Sequence, residues 1–138
     1  MKQARTTLTV ETAGPGLTGF TRPVARWVGE QGIRDGLLTL FIRHTSASLL
    51  IQENADPDVL DDLRDFFARI APRGGAYRHD AEGADDMPAH IRSALTQTQL
   101  SIPVTGGRLD LGTWQGLYVF EHRDRPHRRE VVLHLLGE

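Results

Sequence analysis

The residues best suited to chemistry are histidines and carboxylates in the middle of the chain. His44 follows an apolar run, His79 lies in a polar stretch, and His90 stands near the start of a short helical pattern. Neutral imidazole and carboxylate are ligands that zinc-like and manganese-like divalent ions accept, and a site with three protein ligands keeps one position open. The sequence therefore indicates a divalent metal site, with zinc, magnesium or manganese as candidate ions, or an acid–base site. The neighbouring acidic and amide residues are Glu53, Asn54, Asp80, Asp85 and Asp86.

The same residues are also compatible with a purely structural role. The motif H-x-x-x-H is absent, so the three histidines must be brought together by folding rather than by one helix. A loop with several aspartates and a histidine is often only solvated. His44 could also end a strand and bond to the backbone.

The segment 112–116, Gly-Thr-Trp-Gln-Gly, is a second candidate for ligand binding. Trp114 could stack on an aromatic ring, and Gln115 could hydrogen-bond to the edge of that ring. The flanking glycines allow close backbone approach or unusual dihedral angles. Alternatively, Trp114 is a core anchor and the glycines form a bulge.

A third feature is a group of arginines in the basic stretch 122–130, which also contains His122 and His127. A guanidinium binds oxyanions through two parallel hydrogen bonds, so this group could hold phosphate, although charged hairpin tips are commonly only solvated. One arginine, Arg129, begins the last predicted strand and is expected to be fixed in the structure. The two histidines are expected at the surface. The arginines are Arg123, Arg125, Arg128 and Arg129.

The elements that must position these residues are strands followed by inserted helices. Alternating or continuous apolar runs predict strands at 5–11, 36–43, 47–51, 97–104, 117–120 and 131–136. Helical spacing predicts helices at 22–31, 56–70 and 88–95, with a polar loop at 77–86 between the last two. This order predicts an α+β fold of mostly antiparallel, β-sandwich-like sheets with two or three helices packed on them.

The helix at 56–70 has the clearest boundaries. Asp56 can cap it and Pro57 fits its first turn, while three aspartates place negative charge near its positive end. In the earlier helix, Thr21 is the expected cap and Gly32 lies just past the end. The residues expected to bury one face of the 56–70 helix are Val59, Leu60, Leu63, Phe66, Phe67 and Ile70.

Length and composition limit the class of protein. The chain has 138 residues, which suits one domain over 1–138, and its formal charge of −2 gives no general attraction to nucleic acid or to anionic membranes. It has no cysteine, no signal-peptide pattern and no apolar run near the roughly 20 residues that span a bilayer. We therefore expect a cytoplasmic protein that binds neither nucleic acid nor membrane. The phosphate-binding and nucleophile-elbow motifs are also missing.

Short blocks of characteristic residues occur in order over nearly the whole chain. They are His-Thr-Ser-Ala-Ser at 44–48, Glu-Asn-Ala-Asp-Pro-Asp-Val at 53–59, Tyr-Arg-His-Asp at 77–80, Asp-Met-Pro-Ala-His-Ile at 86–91, Gly-Thr-Trp-Gln-Gly-Leu at 112–117, and finally Glu121 and Arg129. This pattern resembles the YjbQ-like family, which is often labelled secondary thiamine-phosphate synthase. The resemblance implies a homotrimer of β-sandwich-like α+β subunits with a polar site near the subunit contacts. It also implies that His44, His79 and His90 face that site around a divalent metal.

The family label implies a reaction and a set of roles. A pyrimidine-methyl diphosphate would join a thiazole phosphate, giving thiamine phosphate and pyrophosphate as a weak or secondary activity. The metal and Arg129 would stabilise the departing pyrophosphate, and Trp114 with Gln115 would hold the pyrimidine. The residues assigned to catalysis are His44, Glu53, Asp86, Glu121 and Arg129, and those assigned to substrate are Ser46, Asn54, Trp114 and Gln115.

Two other functions remain open from the sequence. One is a metal-dependent hydrolase or isomerase of a small phosphorylated or carboxylated metabolite that uses the same histidines around an activated water. The other is a non-catalytic trimer that binds a metal or a small ligand. The first would turn over a substrate, whereas the second would show binding without a rate.

Overall fold

The computed structural model describes residues 1–138 and contains two antiparallel sheets and three helices, which confirms the predicted α+β fold. The strands are β1 Lys2–Thr12, β2 Gly16–Gly19, β3 Gly36–Ile42, β4 Ala47–Glu53, β5 Gln99–Thr105, β6 Arg108–Leu109, β7 Gln115–Glu121 and β8 His127–Gly137. The helices are α1 Thr21–Gly29, α2 Pro57–Ile70 and α3 Asp86–Leu95.

The core lies where the two sheets and α1 meet. The larger sheet has the order β1-β8-β3-β5-β6, and the smaller has the order β2-β7-β4. Alternate residues of β3 and β8 point inward and join residues of β4, β5 and β7 in one apolar cluster. β7 is buried from Gly116 to Glu121, as expected for a central strand covered on both faces. Its carboxyl end therefore carries polar residues into a buried environment.

The start of the chain differs from the sequence prediction in two places. β2 was not predicted, because the glycines and proline at 14–16 indicate only a break; Gly14 and Gly16 do adopt positive φ angles. α1 begins at Thr21, so its cap is Phe20 rather than Thr21. The Thr21 hydroxyl accepts a hydrogen bond from the backbone N–H of Leu117 instead. That contact ties α1 to β7.

α2 follows the prediction closely at its first turn. The Asp56 side chain accepts a hydrogen bond from the Asp58 N–H at 2.9 Å, and Pro57 is the first helical residue. Its apolar face is less buried than expected: no residue of α2 is fully buried, and Phe66 and Ile70 are exposed. The contact with the core runs through Phe67, whose ring meets that of Phe120 edge-on at 5.3 Å.

α3 begins two residues earlier than the predicted Pro88. Asp86 therefore lies in the first helical turn rather than in the preceding loop. Residues four apart lie on the same face of a helix, so Asp86 and His90 become neighbours. No helix combines the length and the hydropathy needed to cross a bilayer.

Candidate metal centre

His79, Asp86 and His90 converge at the first turn of α3, and we call them the ligand cluster. Asp86 Oδ2 lies 2.6 Å from His79 Nε2 and 3.1 Å from His90 Nε2. One ligand atom from each residue falls within 4.8 Å of the others. Asp86 is buried, while both imidazoles are partly exposed. The cluster therefore stands at the edge of the molecule, with a buried carboxylate beneath two accessible rings.

Further hydrogen bonds, to groups outside the ligand cluster, orient His90 and Asp86. His90 Nδ1 lies 3.0 Å from the Thr45 carbonyl, which can only accept, so Nδ1 carries the proton and Nε2 has a lone pair when the ring is neutral. Arg123 Nη1 donates to Asp86 Oδ1 at 2.6 Å, which leaves Oδ2 directed at the histidines. Such outer contacts commonly fix the tautomer and orientation of metal-binding side chains.

The hydrogen bond between His79 and Asp86 favours the charged form of each group. The hydrogen bond with Asp86 raises the pKa of His79 above its usual range. Burial alone would raise the pKa of Asp86, but the hydrogen bond from His79 and the charge of Arg123 outweigh it, so the pKa of Asp86 is lowered. The carboxylate is therefore ionised at neutral pH and attracts either a proton on His79 or a metal ion.

The donor set fits a divalent ion. Two imidazole nitrogens and one carboxylate oxygen suit zinc, manganese or a related ion and leave coordination positions open. With both rings neutral, the lone pair of His90 Nε2 would face an anionic oxygen, an arrangement that a bound cation stabilises. Glu82 Oε2 lies 3.2 Å from His79 Nε2 and adds a further exposed carboxylate beside the cluster.

A second, separate group contains Thr12 and four residues that were assigned to the site from the sequence. We call it the ion-pair network, and the four residues are His44, Ser46, Glu121 and Arg129. Glu121, fully buried, accepts hydrogen bonds from Thr12 Oγ1 at 2.6 Å and from Arg129 Nε at 2.8 Å, and it also pairs with Arg129 Nη2. Burial would raise the pKa of Glu121, but the Arg129 and Thr12 hydrogen bonds lower it. Glu121 Oε2 also accepts from the backbone N–H groups of residues 122 and 123. These contacts engage both oxygens of the Glu121 carboxylate and fix its position.

Arg129 is held on several sides and is buried, as expected from its place in the last strand. Its Nη2 donates to the Ser46 carbonyl at 3.2 Å and to Ser46 Oγ at 3.1 Å. Its Nη1 lies 3.3 Å from His44 Nδ1. Because Thr45 contacts His90 and Ser46 contacts Arg129, one short segment joins the ligand cluster to the ion-pair network.

His44 is not brought into the ligand cluster. Its Nε2 accepts a hydrogen bond from the Glu130 N–H at 2.8 Å, and its Nδ1 faces the Arg129 guanidinium. Burial, together with the charge of Arg129, lowers the pKa of His44, so its ring is neutral at pH 7. With Nε2 already engaged, this geometry does not favour the metal-ligand role predicted for His44.

A surface groove borders the ion-pair network and the segment whose Thr45 carbonyl contacts His90. Its volume is about 510 Å³, and its lining includes His44, Thr45, Ser46 and Arg43. Arg43 is exposed, and its only ion pair is with Glu130 at 3.6 Å. The groove therefore offers a small molecule one exposed guanidinium, which also pairs with Glu130, and the polar groups of the segment that supports the ligand cluster.

The remaining predicted residues lie at the opposite end of β4 and β7. Asn54 Nδ2 donates to the Thr113 and Gln115 carbonyls at 3.1 and 3.2 Å, while Gln115 Oε1 accepts from the Gly112 N–H at 2.8 Å. Gln115 and Glu121 are the two ends of the seven-residue strand β7, which spans roughly 20 Å. Within one chain, these residues do not join the ligand cluster.

Glu53 and Trp114 also belong to this distant group. Glu53 pairs with Gln115 across the strands, and its Oε2 accepts from the Ala55 N–H at 2.9 Å. Trp114 is 64% exposed, which corrects its alternative interpretation as a core anchor. Its ring is free to contact another molecule.

The basic stretch at 122–130 is divided by the fold. Arg123 is bound to Asp85 at 2.9 Å and to Asp86, whereas Arg129 is buried against Glu121. The predicted common phosphate grip therefore does not form. His122 was expected at the surface, but it is 1% exposed, because it directly follows the buried strand β7.

Sequence reasoning missed three supports of the site. Arg123 is 37 residues from Asp86 in sequence, and no spacing rule links the two. The Thr45 carbonyl is a backbone group and leaves no trace in residue type. Thr12 ends β1, and only the β1–β8 pairing opposite His127 places it beside Glu121.

Comparison with known proteins places the chain in a family. A UPF0047 protein of Synechocystis sp. is 56% identical over 138 residues, covering 99% of this chain and 94% of that protein. UPF0047 protein YjbQ of Escherichia coli O157:H7 is 50% identical over 103 residues, covering 75% of each chain. The crystal structure of a conserved hypothetical protein from Thermus thermophilus superposes with a TM-score of 0.85 at 37% identity, covering 95% of this chain and 99% of that one. The family model described as UPF0047 protein YjbQ-like matches residues 6–138, and the chain belongs to that family.

Proposed function

We propose that the protein is a divalent-metal-dependent enzyme that acts on a small phosphorylated metabolite. The observation that carries the proposal is the ligand cluster: His79 Nε2, Asp86 Oδ2 and His90 Nε2 lie within 4.8 Å of one another. The Thr45 carbonyl and Arg123 hold His90 and Asp86 in the required orientation. Residues with oriented polar partners of this kind are typical of built metal sites.

The groove beside the cluster supports a phosphorylated substrate. Arg43 offers a guanidinium, and Ser46 Oγ accepts from Arg129, so its own hydroxyl proton is free to donate to a ligand. His44 stays neutral beside Arg129 and adds no positive charge of its own. Arg43 is therefore the one cation in the groove lining, and a phosphate group would compete with Glu130 for its guanidinium.

The chemistry divides between the metal and the chain's own residues. A bound divalent ion would supply Lewis acidity that offsets negative charge developing on a phosphate or pyrophosphate oxygen. Asp86 and the two histidines hold that ion, and Arg43 and Ser46 position the phosphate. Glu82, an exposed carboxylate beside His79, is available to accept a proton. Arg129 and Glu121 maintain the shape of the segment that borders the groove.

The specific reaction that we propose to test first is thiamine phosphate formation from a pyrimidine-methyl diphosphate and a thiazole phosphate, as a weak activity. Its release of pyrophosphate matches the charge stabilisation available at the ligand cluster. The second candidate is hydrolysis of a phosphorylated metabolite, which needs the cluster and groove but no ring-binding residues. The distance of Trp114 and Gln115 from the cluster within one chain favours this simpler candidate.

We further propose a homotrimer in which the outer face of the larger sheet forms the subunit contact. This face carries Leu37 and Leu136, which are paired across β3 and β8, together with Phe41, and all three are exposed. Phe41 also lines the groove, so a neighbouring subunit on this face would border the groove. Such a neighbour could bring its own Trp114 and Gln115 toward the ligand cluster and restore their predicted role.

The test is an activity assay with the full chain, loaded with one divalent metal at a time. Product formation from the two thiamine precursors, and phosphate release from a panel of small phosphate esters, are measured for the native protein and for His79→Ala. The control is Asp62→Ala, which removes an exposed carboxylate on α2, away from the ligand cluster and from the outer face of the larger sheet. We expect metal-dependent turnover that falls at least about 100-fold in His79→Ala and stays unchanged in the control.

Each outcome selects among the candidate functions. Thiamine phosphate as product supports the synthase-type reaction, whereas phosphate release alone supports the hydrolase. Stoichiometric metal binding without turnover of any substrate supports the non-catalytic binding protein and contradicts the enzyme. Equal activity in His79→Ala would remove the ligand cluster from the reaction.

A further inference from the structure

A second groove lies between the end of α2 and α3, apart from the ligand cluster. Its volume is about 570 Å³, within the range of small-molecule sites. It is lined by three arginines and two aspartates, which gives a local excess of one positive charge although the whole chain carries −2. The charged lining residues are Arg64, Asp65, Arg73, Arg92 and Asp124.

Two of the three arginines already have carboxylate partners. Arg64 contacts Asp65 at 3.3 Å, and Arg73 contacts Asp124 at 2.8 Å. Arg92 is the most buried of the three, at 8% exposed, and no carboxylate lies within ion-pair distance of it. Its Nη2 donates to the Ala71 carbonyl at 2.7 Å and its Nη1 to the His122 carbonyl at 3.4 Å, while its Nε has no partner.

A buried guanidinium with only carbonyl partners is costly, because carbonyl dipoles replace its hydration without neutralising its charge. The contact of Arg92 with Ala71 at the end of α2 explains the position of the guanidinium, since cations favour helix carboxyl ends. It does not explain the missing counter-charge or the two further arginines around the same groove.

We propose that this groove is a binding site for the oxyanion group, phosphate or carboxylate, of a small molecule, with Arg92 as its central cation. A guanidinium recognises both groups through paired hydrogen bonds. None of the lining residues belongs to the ligand cluster or to the ion-pair network, so this site is independent of the proposed enzymatic function. Arg64 and Arg73 would complete the contact from the two sides.

The groove offers a test that leaves Arg92 in place. Ala68 is an exposed residue of α2 that lines the groove. Ala68→Glu introduces a carboxylate there, and Ala68→Gln introduces the same volume without the charge. Metal-free protein is titrated by calorimetry with inorganic phosphate and, separately, with acetate, at constant ionic strength.

We expect saturable binding of one anion per chain to the native protein and to Ala68→Gln, with affinity reduced at least about tenfold in Ala68→Glu. Arg92→Gln, if folded by circular dichroism, should lose binding, whereas Arg69→Gln, which removes a charge from α2 outside the groove, should retain it. His90→Ala should also retain it, which separates this site from the ligand cluster. Tighter binding of phosphate or of acetate identifies the oxyanion.

Either of two results would overturn the proposal. One is the absence of saturable binding of both anions to the native protein, which would leave Arg92 with a structural role at the end of α2. The other is equal binding by Ala68→Glu and Ala68→Gln, which would place the anion elsewhere.

Discussion

At the residue scale, the site depends on side chains whose partners are distant in sequence. Residue type and the family resemblance selected His79 and His90 as metal ligands and assigned Asp86 to catalysis, and the structure brings these three side chains together. The same reasoning grouped His44 with them, because a histidine's sequence context does not show that its Nε2 will accept from a backbone N–H. Strand pairing decides which side chains become hydrogen-bond partners, and composition and local spacing do not reveal that pairing.

His122 gives a prediction for the pH dependence of stability. Burial lowers the pKa of His122 to about 3, well below its value of 6.5 in the unfolded chain. The unfolded state therefore binds an extra proton between these values, so the stability contribution is complete above pH 6.5 and is lost as the pH falls toward 3. The shift corresponds to a loss on the order of 5 kcal/mol.

The check is chemical denaturation of the native protein and of His122→Gln from about pH 7 to about pH 3. We expect the pH-dependent loss of unfolding free energy to be much smaller in the variant. His134→Gln, at a partly exposed site, is the control and should follow the native protein. Identical pH profiles for His122→Gln and the native protein would contradict a buried, neutral His122.

The buried pair of Glu121 and Arg129 gives a second residue-scale prediction. Removing one partner leaves an uncompensated buried charge, so Arg129→Met should lower the unfolding free energy by about 3–5 kcal/mol. The double variant Glu121→Leu/Arg129→Met removes both charges and should recover part of that loss. Urea unfolding of the single and double variants measures the coupling, and a double variant that merely sums the two single losses would argue against a paired charge.

At the element scale, the sequence predicted the strands and helices well where the pattern was long and periodic. α2 was confirmed with its cap because Asp56, Pro57 and the apolar spacing all indicate the same start. α3 was placed two residues late because proline favours the first turn of a helix, which indicates a start at Pro88. The helix begins at Asp86 instead, after an N-cap, Asp85, that makes no side-chain hydrogen bond. That small error hid the placement of Asp86 and His90 on one helical face. β2 was missed because four residues among glycines show no alternation.

The cap of α2 can be tested directly. Asp56 satisfies the otherwise free N–H of Asp58, so Asp56→Ala should lower the unfolding free energy by about 1 kcal/mol. Asp62→Ala, an exposed site further along α2, should change it by less than about 0.5 kcal/mol. Thermal and urea unfolding of the two variants provide the comparison. Equal effects would mean that general helix charge, rather than the cap, stabilises α2.

At the scale of the whole molecule, the order of elements was enough to predict an α+β fold with antiparallel sheets. The order of elements could not predict how β4 pairs with β7. That pairing decides which of their polar residues lie at the same end of the smaller sheet. Pairing Ala47 with Glu121 and Glu53 with Gln115 separates the assigned residues into two groups. A linear sequence presents them as one signature, whereas the antiparallel register places them at opposite ends of the smaller sheet.

The proposed trimer is the prediction at this scale. The native protein should show a solution mass three times that of the 15.4 kDa subunit. Leu136→Lys places a charge on the outer face of the larger sheet and should shift the mass toward one subunit. Leu95→Lys, at an exposed apolar residue on α3, should leave the mass unchanged. Light scattering coupled to size-exclusion chromatography gives all three masses, and a native mass of one subunit would rule out a shared site.

Calorimetric titration of the metal-free protein, with zinc and then with manganese, tests whether the ligand cluster binds a divalent ion. We expect one ion per chain at about pH 7.5, with affinity that falls as the pH drops through the raised pKa of His79, because the protonated ring cannot bind metal. His90→Ala should weaken binding by at least about 10-fold, and Asp62→Ala, which removes an exposed carboxylate on α2, should not. Absence of stoichiometric binding, or equal binding by His90→Ala and the native protein, would contradict a metal centre at His79, Asp86 and His90.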